Sequence, residues 1–274
     1  MRKRLVEVIK ENLWSFAASP IDLGRTSVVL HTIKTNAAKQ FRHKLRPIPF
    51  AQRQYLEQEV EKLLSIGAIS KADPGACPYA SRTVTTPKKD GSVRMCVDHR
   101  DINAQTEKDA YSLPHNDQIW PVLAKARYFA SLDLLIGYHQ VEVEPKYRFK
   151  AAFVTHRGLY IYNGMALCNA PANFQRLIEK IIGTLIGCGV LVHLDDVLIS
   201  AETWEKLLDK LSQILKLLAK AGLKCKVAKC SVFTQKIHFL GHIISKEGIN
   251  PEPTQLEKIS KWPNLRKELD WHHS

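Results

Sequence analysis

Asp195 and Asp196 stand side by side in LVHLDDVLIS, residues 191–200, an otherwise apolar run whose halves read as two strands of a buried hairpin. Adjacent carboxylates in a low-dielectric strand pair lose hydration and repel each other unless a cation or donors compensate. A plain turn would explain the pair on its own, since Asp favours turns and bonds nearby backbone amides. A third carboxylate shifts the balance. Asp133 ends the apolar run YFASLD and is followed by a small-residue turn carrying an aromatic, then a helix, then the Asp-Asp hairpin. That order suits a site where carboxylates hold two divalent ions for phosphoryl transfer.

The elements that must position these residues are read from periodicity. AQRQYLEQEVEKLLSIG places Leu56, Val60, Leu63 and Leu64 on one helical face, with Gly67 as the stop. SRTVTTPKKDGSVRMCVD is a hairpin turning at Asp90-Gly91 with a basic tip. RYFASLDL, YHQVEVE, KAAFVT and GLYIYN are strand-like, and ANFQRLIEKIIGTLIG has helical spacing leading into the Asp-Asp hairpin. TWEKLLDKLSQILKLLAKAG is a long amphipathic helix stopped at Gly222, and KIHFLGHIIS with EGINPE forms a last strand pair. Residues 1–46 have weak periodicity and read as an extended approach. Strands and helices are interspersed with hairpins, which gives an α+β fold with a mostly antiparallel central sheet.

The chain has 274 residues, enough for one large domain or two small ones, and a formal net charge of +13 spread along its length. That imbalance favours a polyanionic partner such as nucleic acid. The six cysteines include no C-x-x-C, which argues against a zinc site or a disulfide framework. Glu7, Lys10 and Glu11 interrupt the N-terminal apolar residues, so no signal peptide or membrane span is expected there, and a reducing intracellular compartment follows.

HTIKT, KKDGSVRMCVDHRDIN, YSLP, SLDLLIGYHQ, LCNAPANFQRL, HLDDVLI, GLKCKVAKC and FLGHIIS occur in this order between about His31 and Pro263. In these motifs and their spacing the chain resembles the reverse transcriptases of gypsy-type long-terminal-repeat retrotransposons and retroviruses. The resemblance implies a right-hand polymerase of fingers (47–119, returning at 145–170) and palm (120–144 and 171–250). An approach segment (1–46) would precede it, and the truncated start of a thumb or connection (251–274) would follow. It implies RNA-directed DNA synthesis on a primer and an RNA or DNA template from deoxynucleoside triphosphates. The site would hold two Mg²⁺ ions, with Mn²⁺ as an alternative, in a domain of a larger Pol polyprotein found in the cytoplasm or a virus-like particle.

Residue by residue, Asp133, Asp195 and Asp196 match the family's metal-binding carboxylates. Lys88 and Arg94 match fingers positions that grip the triphosphate, Ile136 and Gly137 positions whose amides meet phosphate, and Tyr138 the aromatic under the sugar. Lys229 lies near the lysine that protonates pyrophosphate, with Lys224 and Lys226 as competitors. His193 and Leu194 fall at the primer terminus, and Leu240 and Gly241 in the primer-gripping hairpin. Two departures stand out. His193 replaces the family's Tyr before x-D-D, and the stretch from Tyr160 to Leu167 is two residues short, which puts Met165 and Ala166 on the floor of the nucleotide pocket. With no protease motif and no room for RNase H after Trp262-Pro263, the chain reads as an excised or truncated piece. The alternative expectation is a weak or inactive remnant that only binds nucleic acid.

Overall fold

The computed structural model describes residues 2–36, 39–87, 93–111, 123 and 126–253. In chain order its elements are α1 Arg2–Glu11, β1 Thr26–His31, α2 Phe50–Ser65, β2 Ile69–Lys71, β3 Ser81–Pro87, β4 Val93–Asp98 and α3 Arg100–Gln105. There follow β5 Tyr128–Asp133, β6 Val141–Val143, β7 Ala152–Thr155, β8 Gly158–Tyr162, α4 Ala170–Ile182, β9 Val190–His193 and β10 Asp196–Ala201. The last are α5 Trp204–Lys220, β11 Ser231–Thr234, β12 Lys236–Phe239, β13 His242–Ser245 and β14 Gly248–Pro251.

Strand order β11-β5-β10-β9 makes an antiparallel sheet in which β5 ends at Asp133, β10 begins at Asp196 and Asp195 lies in the turn before it. One face of it packs on α4 and α5 through Leu132, Val197 and Ile199 against Phe174, Leu177, Leu211 and Leu215, all at most 1% exposed. Both helices are amphipathic by spacing. Pro171 opens the first turn of α4, and the Thr203 hydroxyl accepts from Lys206 N–H to cap α5. The other face, through Phe129, Leu191 and Leu198, meets the three-stranded β12-β13-β14 sheet at Ile237, Phe239 and Ile244. A second core under the five-stranded sheet β2-β8-β7-β3-β4 joins Val60 and Leu63 of α2 to Phe153 and Tyr160.

Two expectations need correction. Residues 1–46 are not simply extended: α1, a 3-10 turn at Leu13–Ser15 and β1 lie within them. Their periodicity is weak because α1 has no buried residue and β1 pairs, in parallel, with the distant β6. YHQVEVE is not one strand either. Gly137–Gln140 is a 3-10 turn entered through Ile136 at φ 48°, and only Val141–Val143 is extended.

Candidate active site

Asp133 and Asp196 face each other across the β5–β10 ladder, and Asp196 also faces His193 across β9–β10. Leu194 and Asp195 form the intervening turn, with Leu194 in the left-handed region at φ 53°. For a branched residue this conformation is strained, so other contacts must hold it. Gln175 of α4, fully buried, does so: its Oε1 accepts from Leu194 N–H at 2.9 Å and its Nε2 donates to the Val192 carbonyl at 3.1 Å. The Asp195 carbonyl in turn accepts from Leu134 N–H at 3.1 Å, which ties the hairpin to the end of β5.

Oδ1 of Asp195 is buried without a hydrogen-bond partner. Burial, followed by the charges of Asp196 and Asp133, pushes the Asp195 carboxyl up to about 6. Loss of hydration and the Asp133 charge push Asp196 up as well. The loop after α5 supplies a positive charge. Lys226 N–H donates to the Asp133 carbonyl at 2.8 Å, a 3-10 turn follows at Val227–Lys229, and Lys229 Nζ donates to Asp133 Oδ2 at 2.8 Å. That contact raises the Lys229 pKa. Of the competing lysines, Lys224 is instead paired with Asp22.

A cavity of about 280 Å³ opens on one side of the carboxylates, lined by Cys96, His99, Gly137, Tyr138, Met165 and Asp195 among others. Tyr138 packs edge-on against Phe174 with ring centroids 5.5 Å apart, and its phenol pKa is raised by burial and then by Asp195. Met165 lies on the cavity wall, its own side chain 1% exposed. A second crevice of about 260 Å³ is lined by Asp133, Asp196, Lys229, Thr234, Lys236 and Leu240 among others. Leu240 and Gly241, at φ 49° and 74°, make the tight turn from β12 to β13 beside it. Arg94 is exposed on β4 opposite Thr86, and Lys88 lies outside the described residues.

Sequence reasoning missed Gln175, His99 and His139. The two histidines also line the first cavity, each with one buried, unpartnered ring nitrogen. A polar residue on the apolar face of α4 between Phe174 and Leu177 was the available signal for Gln175.

Residues 86–244 match the reverse transcriptase (RNA-dependent DNA polymerase) family. The chain belongs to the reverse transcriptase family. It is 34% identical over 252 residues to the retrovirus-related Pol polyprotein from transposon 297 of Drosophila melanogaster, a match covering 89% of this chain and 24% of that protein. It is 31% identical over 228 residues to the transposon Tf2-3 polyprotein of Schizosaccharomyces pombe, covering 81% of this chain and 17% of the relative. This reverse transcriptase domain thus spans a quarter or less of these relatives' length. Its fold is similar to that of the foamy viral protease-reverse transcriptase solved with an RNA/DNA hybrid: TM-score 0.85, 21% identity, 98% of this chain and 36% of the other. The foamy viral protease-reverse transcriptase dRH solved with double-stranded DNA also gives a TM-score of 0.85, at 20% identity over 98% of this chain and 47% of the other. The expected α+β polymerase fold holds. Among the described residues, no helix is long and apolar enough to cross a membrane.

Proposed function

We propose that this domain is an RNA-directed DNA polymerase that extends a primer 3′ end with deoxynucleotides by two-metal phosphoryl transfer. The observation that carries this reading is the convergence of Asp133, Asp195 and Asp196 at one sheet end, each lining one of two open cavities and Asp133 bonded to Lys229. The cavity walled by Tyr138 and Met165 would take the incoming nucleotide, and the crevice at Thr234 and Leu240 the primer terminus. The five-stranded sheet unit would be the fingers and the four-stranded sheet the palm.

The carboxylates fit divalent cations. The unpartnered Oδ1 of Asp195 and the raised carboxyls of Asp195 and Asp196 mark a site short of positive charge. Among the described residues, no group of three or more such side chains is arranged as a ready metal cage. Mg²⁺ needs none, because it binds through one or two carboxylates and completes its shell with water and substrate phosphate. Asp133, Asp195 and Asp196 would hold it, and Mg²⁺ or Mn²⁺ would supply charge neutralisation for the attacking and leaving oxygens. The protein's own contribution is placement: Gln175 fixes the turn, Gly137 lets Asp195 approach, and Lys229 stands ready to give a proton to pyrophosphate.

The partner would be a primed RNA or DNA template, in keeping with the duplexes bound by the structural neighbours and the +13 charge. As a part of a Pol polyprotein, the domain would work in the cytoplasm or a virus-like particle. A second reading, a nucleic-acid-binding remnant, draws on the apolar Met165 in the nucleotide cavity and on His193 at the catalytic turn. Primer extension on an RNA template decides between them. The purified chain should extend in Mg²⁺, while Asp133→Asn and Asp195→Asn should lose extension yet keep duplex binding. Duplex binding without extension by the unaltered chain would establish the remnant.

A further inference from the structure

The YSLP motif begins at Tyr111, which no step above uses. Its hydroxyl donates to Oε2 of Glu179 on α4. The other carboxylate oxygen of Glu179 accepts from Gln175 Nε2 at 2.8 Å. Gln175 therefore spends one amide hydrogen on Glu179 and the other on the Val192 carbonyl, while its oxygen holds Leu194 N–H. All the donors of this buried amide are used, so its rotamer is fixed from both ends. Tyr111 is itself seated. The Arg176 guanidinium lies over its ring at 4.7 Å and reaches both oxygens of Asp109 at 2.7 Å, and Tyr111 N–H donates to Asp109 Oδ1 at 3.1 Å. Glu179 is half-buried and without Tyr111 would be free to turn toward water, leaving Gln175 one partner short.

We propose that Tyr111 is a positioning residue that acts through Glu179 and Gln175 to hold the strained Leu194 turn and so place Asp195 and Asp196. The proposal rests on the polymerase reading for its consequence, but the hydrogen-bond chain can be measured without it. The Arg176–Asp109 pair is 47% and 20% exposed, so it contributes little stability. Its effect is on geometry. Small displacements at a reacting centre cost far more rate than stability.

Tyr111→Phe keeps the ring under Arg176 and removes only the hydroxyl. Amide hydrogen exchange at Leu194 should speed up roughly five- to tenfold, the equivalent of one weakened hydrogen bond, while exchange in α5 stays unchanged. In primer extension, kcat should fall by a similar or larger factor, with KM for primer-template unchanged. Glu179→Ala should produce the same changes, and the double variant should be no worse than Glu179→Ala alone, because the two residues act as one unit. Unchanged Leu194 exchange in Tyr111→Phe, or acceleration spread evenly over the domain, would overturn the relay. Faster exchange with a wild-type kcat would overturn its role in catalysis. If the unaltered chain does not extend primers yet Leu194 exchange responds, the polymerase reading fails and the relay stands.

Discussion

A β-carbon on Gly137 would stand 2.6 Å from Oδ1 of Asp195 and 2.8 Å from Cζ of Phe174. The backbone at 137 is thus the surface on which the Asp195 carboxylate rests, and glycine is needed there for space. Gly137→Ala should displace Asp195 and lower extension at least tenfold, with a loss of about 1–3 kcal/mol in urea unfolding from overpacking. Normal extension by a stable Gly137→Ala protein would show that Asp195 does not depend on this contact.

Lys229 has a different balance of effects. Its side chain is 58% exposed, so the bond to Asp133 should contribute less than about 1 kcal/mol to stability. Lys229→Met should leave the unfolding midpoint nearly unchanged, leave primer-template affinity intact, and slow nucleotide addition by about 10²-fold or more through the lost proton donor. Single-turnover rates with unchanged duplex affinity would separate this role from nucleic-acid binding.

Tyr138 both packs on Phe174 and lines the cavity beside Asp195. Tyr138→Ala should cost about 1–3 kcal/mol of stability and increase ribonucleotide incorporation, because the ring no longer blocks a 2′-hydroxyl. Tyr138→Phe should preserve both stability and sugar choice. Competing ribo- and deoxynucleotides on one RNA template test this, and a stability loss without any change in sugar preference would leave Tyr138 a packing residue only.

Burial depresses His99 and His139 to about 4 from the ordinary 6.5. A depressed histidine is held neutral by the fold, so its contribution is complete above about pH 6.5 and is lost as pH falls through about 4. Each should cost on the order of 3 kcal/mol over that interval. His139→Phe, which can keep the stacking on Tyr162, should flatten the acid side of the stability curve relative to the parent protein. Parallel urea midpoints for the two proteins from about pH 7.5 to 4.5 would contradict the assignment.

With a net charge of +13, affinity for duplex should fall steeply as salt rises, because released counterions drive binding. Arg94→Glu should raise KM for nucleotide and leave duplex affinity almost unaltered. The reverse pattern in filter binding and steady-state kinetics would make Arg94 a template contact.

The sequence made α2 and α5 legible because their apolar positions recur at helical spacing and both stop at glycines with positive φ, Gly67 at 65° and Gly222 at 74°. The Asp-Asp hairpin and the end of β5 were legible because an acidic residue in an apolar run has few uses other than turns and cations. α1 and β1 were not, since each is completed by residues far along the chain. Gln175 and Tyr111 escaped for a related reason: their roles lie in hydrogen bonds to Leu194 and Glu179, and spacing along the chain does not encode such partners.

The segment around residues 15–31 has its seats elsewhere in the molecule. Ser15 Oγ donates to the Leu215 carbonyl at 2.6 Å, Ala17 N–H to the Cys225 carbonyl at 2.9 Å, Asp22 pairs with Lys224, and Thr26 is registered against Val141. During synthesis this segment emerges well before any of those partners. Contacts across some two hundred residues form late, because closing so long a loop costs chain entropy before any contact repays it. A nascent chain arrested short of Lys224 would therefore lack the seats of Ala17 and Asp22 and the loop that brings Lys229 to Asp133. Seating of Lys229 beside Asp133 is thereby tied to a late part of the chain.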